Sequence, residues 1–128
     1  MAQIRDIGGA GTIKDQINAA IGVHGMWKTR IRTAAQTGLS EWKPDFVDSS
    51  HNCDFGKWLD SFPEGAKQAD YKKVFALHAD FHKEAARVLR MALNGKKEEA
   101  EKAISMGSPY EKLTVSLTKA MMEWRDKS

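Results

Sequence analysis

Apolar residues recur every three or four positions along three long stretches of this chain, and this spacing constrains its fold more than any other feature. The stretches cover residues 12–38, residues 68–93 and the region that follows residue 108. Such spacing predicts long amphipathic helices. Because no stretch shows the sustained alternation of a half-buried strand, we expect an all-α fold, an antiparallel four-helix bundle with an additional short helix that carries the cysteine motif.

Residues that favour helix ends mark the limits of these helices. Thr12 with Asp15 three positions later predicts a capped start for the first helix, and Gly38 predicts its end. Ser108 is expected to cap the last helix, with Pro109 at its first position, after a break near residue 107. Asn94-Gly95 is expected to end the third helix, and residues 97–105 form a further helical stretch.

The region between the first two long helices contains the only cysteine of the chain. Residues 39–50 contain Pro44 and many small polar residues, which predicts a loop. A short helix should then run through Cys53 to about residue 60, capped by Asp48, Ser49 or Ser50.

Three of the four histidines fall on the buried sides of the predicted helices. His78 and His82 are four residues apart and so share one face of a helix. Taken alone, this pair is a weak signal and fits two hydrogen-bonded core or boundary histidines better than a metal site. His24, on the first helix, changes this balance, because three buried imidazoles and the Cys53 thiol would all need polar partners. One Zn²⁺ ion with four ligands would satisfy them together.

The same residues predict a site without hydrolytic chemistry. The segment His78–His82 reads HADFH and lacks the glutamate that serves as the general base of HExxH metalloproteases. Four protein ligands also leave no coordination position for a substrate water. The chain is therefore not expected to be an enzyme. His51, two residues before Cys53, is expected to be exposed or to support a ligand from outside the coordination shell.

Composition narrows the class of partner. The formal charge of +3 is small and the lysines are interspersed with acids, so no nucleic-acid surface is expected. No run approaches 18 apolar residues and no secretory signal precedes the first helix, so we expect no membrane insertion. One cysteine without an export signal favours the cytoplasm.

The length predicts a single domain over residues 1–128, with its core at 13–125.

The segment Cys53-Asp54-Phe55-Gly56-Lys57-Trp58-Leu59 resembles the C-x-F/L-G-x-W-Y/L signature of the chemoreceptor zinc-binding domain family. The upstream His24 and the downstream pair of histidines complete that family's pattern. Phe55 and Trp58 are expected to be core residues. Gly56, which has no Cβ, is expected to let another helix backbone come close to the metal, although its spacing equally fits an ordinary glycine that weakens the helix.

The resemblance implies bacterial cytoplasmic sensing by a bundle that holds one zinc ion per protomer and is often a homodimer. It implies chemoreceptor or diguanylate cyclase domains as partners in chemotaxis or cyclic-di-GMP signalling. It also implies sensing either of zinc or of oxidants such as hypochlorous acid, and we expect the zinc-bound Cys53 to be the redox switch for such oxidants. Two alternatives are a sensor of zinc occupancy and a structural, zinc-stabilised dimerisation module. Because Trp27, Trp42, Trp124 and the methionines are not all expected to fit inside one small bundle, leftover apolar surface independently favours a homodimer.

Overall fold

The structure, a computed structural model, describes residues 12–128 and, before them, the backbone of Arg5–Asp6 and Gly8–Gly9, which pair as two short antiparallel strands. From residue 12 onward every regular element is helical. In chain order these helices are α1 Ile13–Gly25, α2 Trp27–Thr37, α3 Pro44–Asp48, α4 Asp54–Asp60, α5 Ala69–Leu93, α6 Lys97–Ala103 and α7 Pro109–Asp126. Short 3-10 turns occupy Ser50–Asn52 and Glu64–Ala66. The all-α class is thus confirmed for this part of the chain.

The predicted helix ends are largely confirmed. Thr12 and Asp15 form a reciprocal capping box at α1, with each side chain bonded to the other residue's backbone N–H. Gly38 ends α2 in the left-handed conformation, at φ 75°. Ser108 accepts a hydrogen bond from the backbone N–H of Glu111 at the start of α7.

The prediction of one continuous first helix is wrong, because α1 and α2 are separate. The break falls at Met26, whose N–H bonds to the Val23 carbonyl at 3.1 Å in a tighter turn than that of an α-helix. Gly25, directly before it, is a weak helix former.

The prediction of a loop over residues 39–50 is also wrong, because α3 lies within it. Pro44 occupies the first helical position of α3, where its missing N–H is no loss. The short helix that follows is not capped by Asp48, Ser49 or Ser50. Its N-cap is Cys53 itself, which therefore precedes α4 instead of lying inside it.

Helix α5 is at the centre of the packing. It contacts α2, α3, α6 and α7, while α1 packs on α7 and α2 on α6. Tyr71 at the start of α5 meets Trp124 near the end of α7, and Phe81 meets Tyr110 near the start of α7. The core follows the predicted apolar stripes, and its fully buried side chains include Ile17, Ile31, Leu59, Val74, Phe81, Leu89 and Leu117.

No helix among residues 12–128 is long and apolar enough to cross a membrane.

Candidate metal centre

Four side chains that are distant in sequence meet beside α5. His24 comes from the end of α1 and Cys53 precedes α4, whereas His78 and His82 lie one turn apart on α5. One ligand atom from each residue lies within 4.8 Å of all the others. The structure therefore brings together the four residues that the sequence singled out.

Three of the six separations between these atoms are close to the edges of a small coordination tetrahedron, and the other three are within 4.8 Å. His78 Nε2 is 3.0 Å from His24 Nε2, which is 3.4 Å from His82 Nε2, and Cys53 Sγ is 3.3 Å from His78 Nε2. A tetrahedral zinc ion with standard bond lengths would place two nitrogens about 3.3 Å apart and a nitrogen and a sulfur about 3.6 Å apart. The cluster is thus close to the size that zinc requires.

The hydrogen bonds of two rings determine where their lone pairs point. His24 Nδ1 donates to the Ala20 carbonyl at 2.7 Å, and His82 Nδ1 donates to the Val47 carbonyl at 2.8 Å. In a neutral imidazole the other nitrogen is then an acceptor. Two acceptor nitrogens therefore face each other at 3.4 Å. Such an arrangement is unfavourable unless a cation or an N–H donor lies between the lone pairs. The Nε2 atom of His78, 3.0 Å from His24 Nε2, can serve one of them as a donor, whereas a metal ion would satisfy all three nitrogens together, so the donor set fits a metal ion.

Burial keeps the imidazoles in the neutral form that metals bind. The desolvation of burial lowers the pKa of His24 to about 4, opposed by its bond to Ala20. Burial and the neighbouring histidines lower the pKa of His78 to about 2. Burial also lowers the pKa of His82. All three rings are thus neutral at pH 7 and have no proton to release when a metal binds.

Cys53 combines two structural roles. Its Sγ accepts a hydrogen bond from the Gly56 N–H at 3.4 Å, which caps α4, and the same sulfur faces the histidines. Without a cation nearby, burial raises the pKa of the Cys53 thiol, although the N–H groups of Gly56 and Phe55 oppose this. A change at this sulfur therefore affects both the cluster and the start of α4.

Helix α3, absent from the sequence prediction, supports the centre from outside. It supplies the Val47 carbonyl that orients His82. Arg90 of α5 pairs with Asp45 at 2.8 Å and with Asp48 at 3.4 Å, which holds α3 against α5. The sequence contained no signal for the Val47 or Ala20 contacts, because both use backbone carbonyls that any residue possesses.

The motif residues pack against the core, but Trp58 is half-buried and not a fully buried core residue as expected. Phe55 is buried, with its ring centroid 5.2 Å from that of His78, and Trp58 stacks on Phe55 at 5.6 Å. A Cβ on Gly56 would lie 1.7 Å from the Ser50 carbonyl oxygen. The close approach at Gly56 is therefore real, but the neighbouring backbone belongs to the 3-10 turn just upstream and not to one of the long helices.

His51 lies outside the cluster. Its side chain is 56% exposed, and its Nδ1 is 2.7 Å from the carboxylate of Asp60. This hydrogen-bonding partner is on the solvent side of α4, so the expectation of an exposed residue is confirmed.

A cavity of about 310 Å³ opens beside the cluster. His24, Cys53 and His82 form part of its wall. Cys53 is partly buried and contributes to the wall of this open cavity.

Comparison with known families locates the same region. The family model described as the chemoreceptor zinc-binding domain matches residues 24–89, slightly more than half of the chain. The matched segment begins at His24 and contains all four clustered side chains. Its family consists of zinc-binding sensory domains, is not a known enzyme family, and occurs in chemoreceptor signalling proteins. No significant match was found among curated proteins or among solved structures.

Proposed function

The chain belongs to the chemoreceptor zinc-binding domain family, and we propose that it is a cytoplasmic sensory domain that holds one zinc ion through His24, Cys53, His78 and His82. The observation that carries the proposal is the pair of Nε2 lone pairs of His24 and His82 that face each other at 3.4 Å. When bound, zinc supplies the positive charge that keeps a coordinating thiol deprotonated. The three neutral imidazoles and the sulfur of Cys53 make a donor set of the kind zinc prefers.

The proposed signal is oxidation of Cys53. A thiolate is the form of cysteine that oxidants attack. With hypochlorous acid the net step forms a sulfur–oxygen bond and breaks the oxygen–chlorine bond. Chloride leaves with the electron pair, so sulfur loses two electrons and becomes a sulfenic acid while chlorine is reduced. The cavity beside the sulfur gives the oxidant access to it.

The contacts of α4 suggest how this change would spread. An oxidised sulfur is a poorer metal donor and a poorer acceptor for the Gly56 N–H. The contact of Cys53 with the metal cluster and its hydrogen bond to the start of α4 therefore weaken together. Trp58, on the same helix, lies 5.7 Å from the ring of Trp124 near the end of α7. A shift of α4 would therefore reach the C-terminal helix through this aromatic contact.

The remaining parts of the proposal concern architecture and assembly. We propose a single domain over residues 1–128 that packs as an antiparallel four-helix-type bundle. Trp27 and Trp124 are buried, so the leftover apolar surface consists of other exposed side chains, among them Met26, Met106, Val115 and Met122. This surface supports a homodimer that works with chemoreceptor or diguanylate cyclase signalling domains. Light scattering that shows only monomer at micromolar concentration would contradict the dimer.

Native mass spectrometry tests the metal centre directly. We expect one zinc ion per chain in the unaltered protein and a strong loss of zinc in His78→Gln. The matched control is His51→Gln, which removes an exposed histidine and should keep full occupancy. Equal zinc content in both variants would contradict the proposed ligand set.

The redox role requires a separate experiment. Low equivalents of hypochlorous acid should place the first oxygen on Cys53 and release zinc, as followed by mass spectrometry and a zinc indicator. Cys53→Ser should keep the helical fold, bind zinc more weakly and lose the oxidant-coupled release. If the exposed Met26 or Met106 oxidises first while zinc stays bound, a sensor of zinc occupancy or a structural zinc module becomes the better account.

A further inference from the structure

The cavity beside the metal cluster has walls that the zinc site does not require. Its volume of about 310 Å³ lies at the lower end of the range of about 300–1,000 Å³ that is usual for small-molecule sites. Besides the three cluster residues, its lining is mostly apolar and aromatic and includes Val23, Trp27, Trp42 and Phe46. Val23 and Phe46 are 44% and 54% exposed, which leaves the cavity open to solvent.

One cation lies in this apolar wall. The guanidinium carbon of Arg30 lies 4.2 Å from the ring centroid of Trp42 and 4.9 Å from that of Trp27. Within residues 12–128 none of the ion pairs involves Arg30. Contacts with aromatic rings hold a guanidinium in place without using its N–H donors. Arg30 is thus positioned and still able to bind an anion.

The metal cluster would add charge of the same sign to the cavity wall once the proposed metal is bound. A zinc ion with one thiolate and three neutral imidazoles carries a net single positive charge. His24, Cys53 and His82 present that centre to the cavity, while Arg30 adds a second positive charge. The one carboxylate in the lining is that of Asp54, an exposed residue. The positive charge therefore exceeds the negative charge.

We propose that this cavity binds a small organic carboxylate with an apolar body, its carboxylate held by Arg30 and its body packed against the Trp27 and Trp42 rings. Arg fits this role because its planar fork of N–H groups matches a carboxylate. The inference rests in part on the proposed zinc site, which supplies the second positive charge. Because the ligand would contact His24, Cys53 and His82, its presence would shield the sulfur from other small molecules.

Benzoate is a suitable probe, with benzamide as its neutral counterpart of nearly the same shape. We expect zinc-loaded protein to bind benzoate saturably in a calorimetric titration and to bind benzamide at least tenfold more weakly. In NMR spectra, benzoate should shift the indole N–H signals of Trp27 and Trp42. Those of Trp58 and Trp124 serve as internal controls, because neither residue lines the cavity.

Variants assign the binding to Arg30. Arg30→Met should weaken benzoate binding by about ten- to a hundredfold, the range expected when hydrogen bonds to a charged group are lost. Arg32→Met, which removes an exposed arginine from the same helix, should leave binding unchanged. Arg30→Lys keeps the charge but not the fork and should give an intermediate affinity.

Several results would overturn the inference. These are the absence of benzoate binding, equal affinity for benzamide, equal effects of the Arg30→Met and Arg32→Met changes, or shifts confined to Trp58 and Trp124. Zinc content is measured on the same samples. Loss of zinc on adding benzoate would show competition for the metal and refute the cavity site. A protein that binds benzoate through Arg30 but holds no zinc would refute the proposed metal centre and leave the anion site standing.

Discussion

Replacing Gly56 by alanine tests the close packing on which the position of Cys53 depends. The added Cβ would lie 1.7 Å from the Ser50 carbonyl oxygen and 2.8 Å from its carbonyl carbon. Because a close carbon–oxygen contact is about 3.3 Å, the two backbones would have to separate by about 1.6 Å. Neither contact involves a flexible side chain, so the strain cannot be relieved by a rotamer change.

The expected cost follows from two opposing effects. Overpacking of a well-packed site costs about 1–3 kcal/mol, and a clash with backbone belongs at the upper end of this range. Alanine is a better helix former than glycine by about 1 kcal/mol, which offsets part of the cost. We therefore expect the free energy of unfolding to fall by about 2 kcal/mol. For a chain of this size that lowers the thermal midpoint by about 6–10 °C.

Gly22→Ala is the matched control for this substitution. Gly22 also lies within a helix, and a Cβ there would meet nothing within 4 Å. Its replacement should stabilise the protein by about 0.5–1 kcal/mol, since the change in the unfolded chain is the same and no clash opposes it.

The assay is thermal unfolding followed by circular dichroism at saturating zinc, combined with zinc competition against a chromophoric chelator. We expect Gly56→Ala to bind zinc more weakly as well, because Gly56 N–H bonds to the Sγ of Cys53. If Gly56→Ala matched Gly22→Ala in both stability and zinc affinity, the reasoning about this close approach would be refuted.

Three further predictions concern stability. Removing zinc by chelation should lower the free energy of unfolding by about 4 kcal/mol, compared with protein in free zinc at a thousand times its Kd. An unchanged midpoint of unfolding would exclude a metal that supports the fold. Thr12→Ala removes the α1 capping box and should cost about 1 kcal/mol in urea unfolding, whereas the exposed Thr29→Ala should change stability by no more than about 0.5 kcal/mol. Trp124→Ala deletes a buried ring that contacts Trp58 and Tyr71 and should lower the free energy of unfolding by about 3–5 kcal/mol. Val115→Ala, on the exposed side of the same helix, should lower it by less than about 0.5 kcal/mol. Similar urea midpoints for the two variants would contradict this packing.

The sequence by itself determined the helical class, most helix ends and the set of residues that meet at the cluster. These features depend on local rules. Caps such as Thr12 and stops such as Gly38 act within one turn, and a 3.6-residue period places His78 and His82 on one face. His24 stood out because a polar ring occupied a position where the apolar stripe predicts a hydrophobic residue.

Short elements could not be determined in this way, because isolated short helices are marginal and depend on their neighbours. Helix α3 has five residues, and it forms where Pro44 starts it and the ion pairs of Arg90 hold it against α5. Likewise, Cys53 became the N-cap of α4 because the tertiary structure placed its sulfur between the Gly56 N–H and the histidines.

The orientation of the cluster and the cavity beside it were decided by tertiary structure alone. The Nε2 lone pairs of His24 and His82 converge because the Nδ1 atoms of the two rings donate to the carbonyls of Ala20 and Val47. Every residue has a backbone carbonyl, so the sequence cannot indicate these contacts. The position of Arg30 between Trp27 and Trp42 depends on how residue 42 folds back onto α2. Side-chain spacing thus predicts which residues share a face, whereas their mutual geometry is set by contacts between elements that are far apart in the chain.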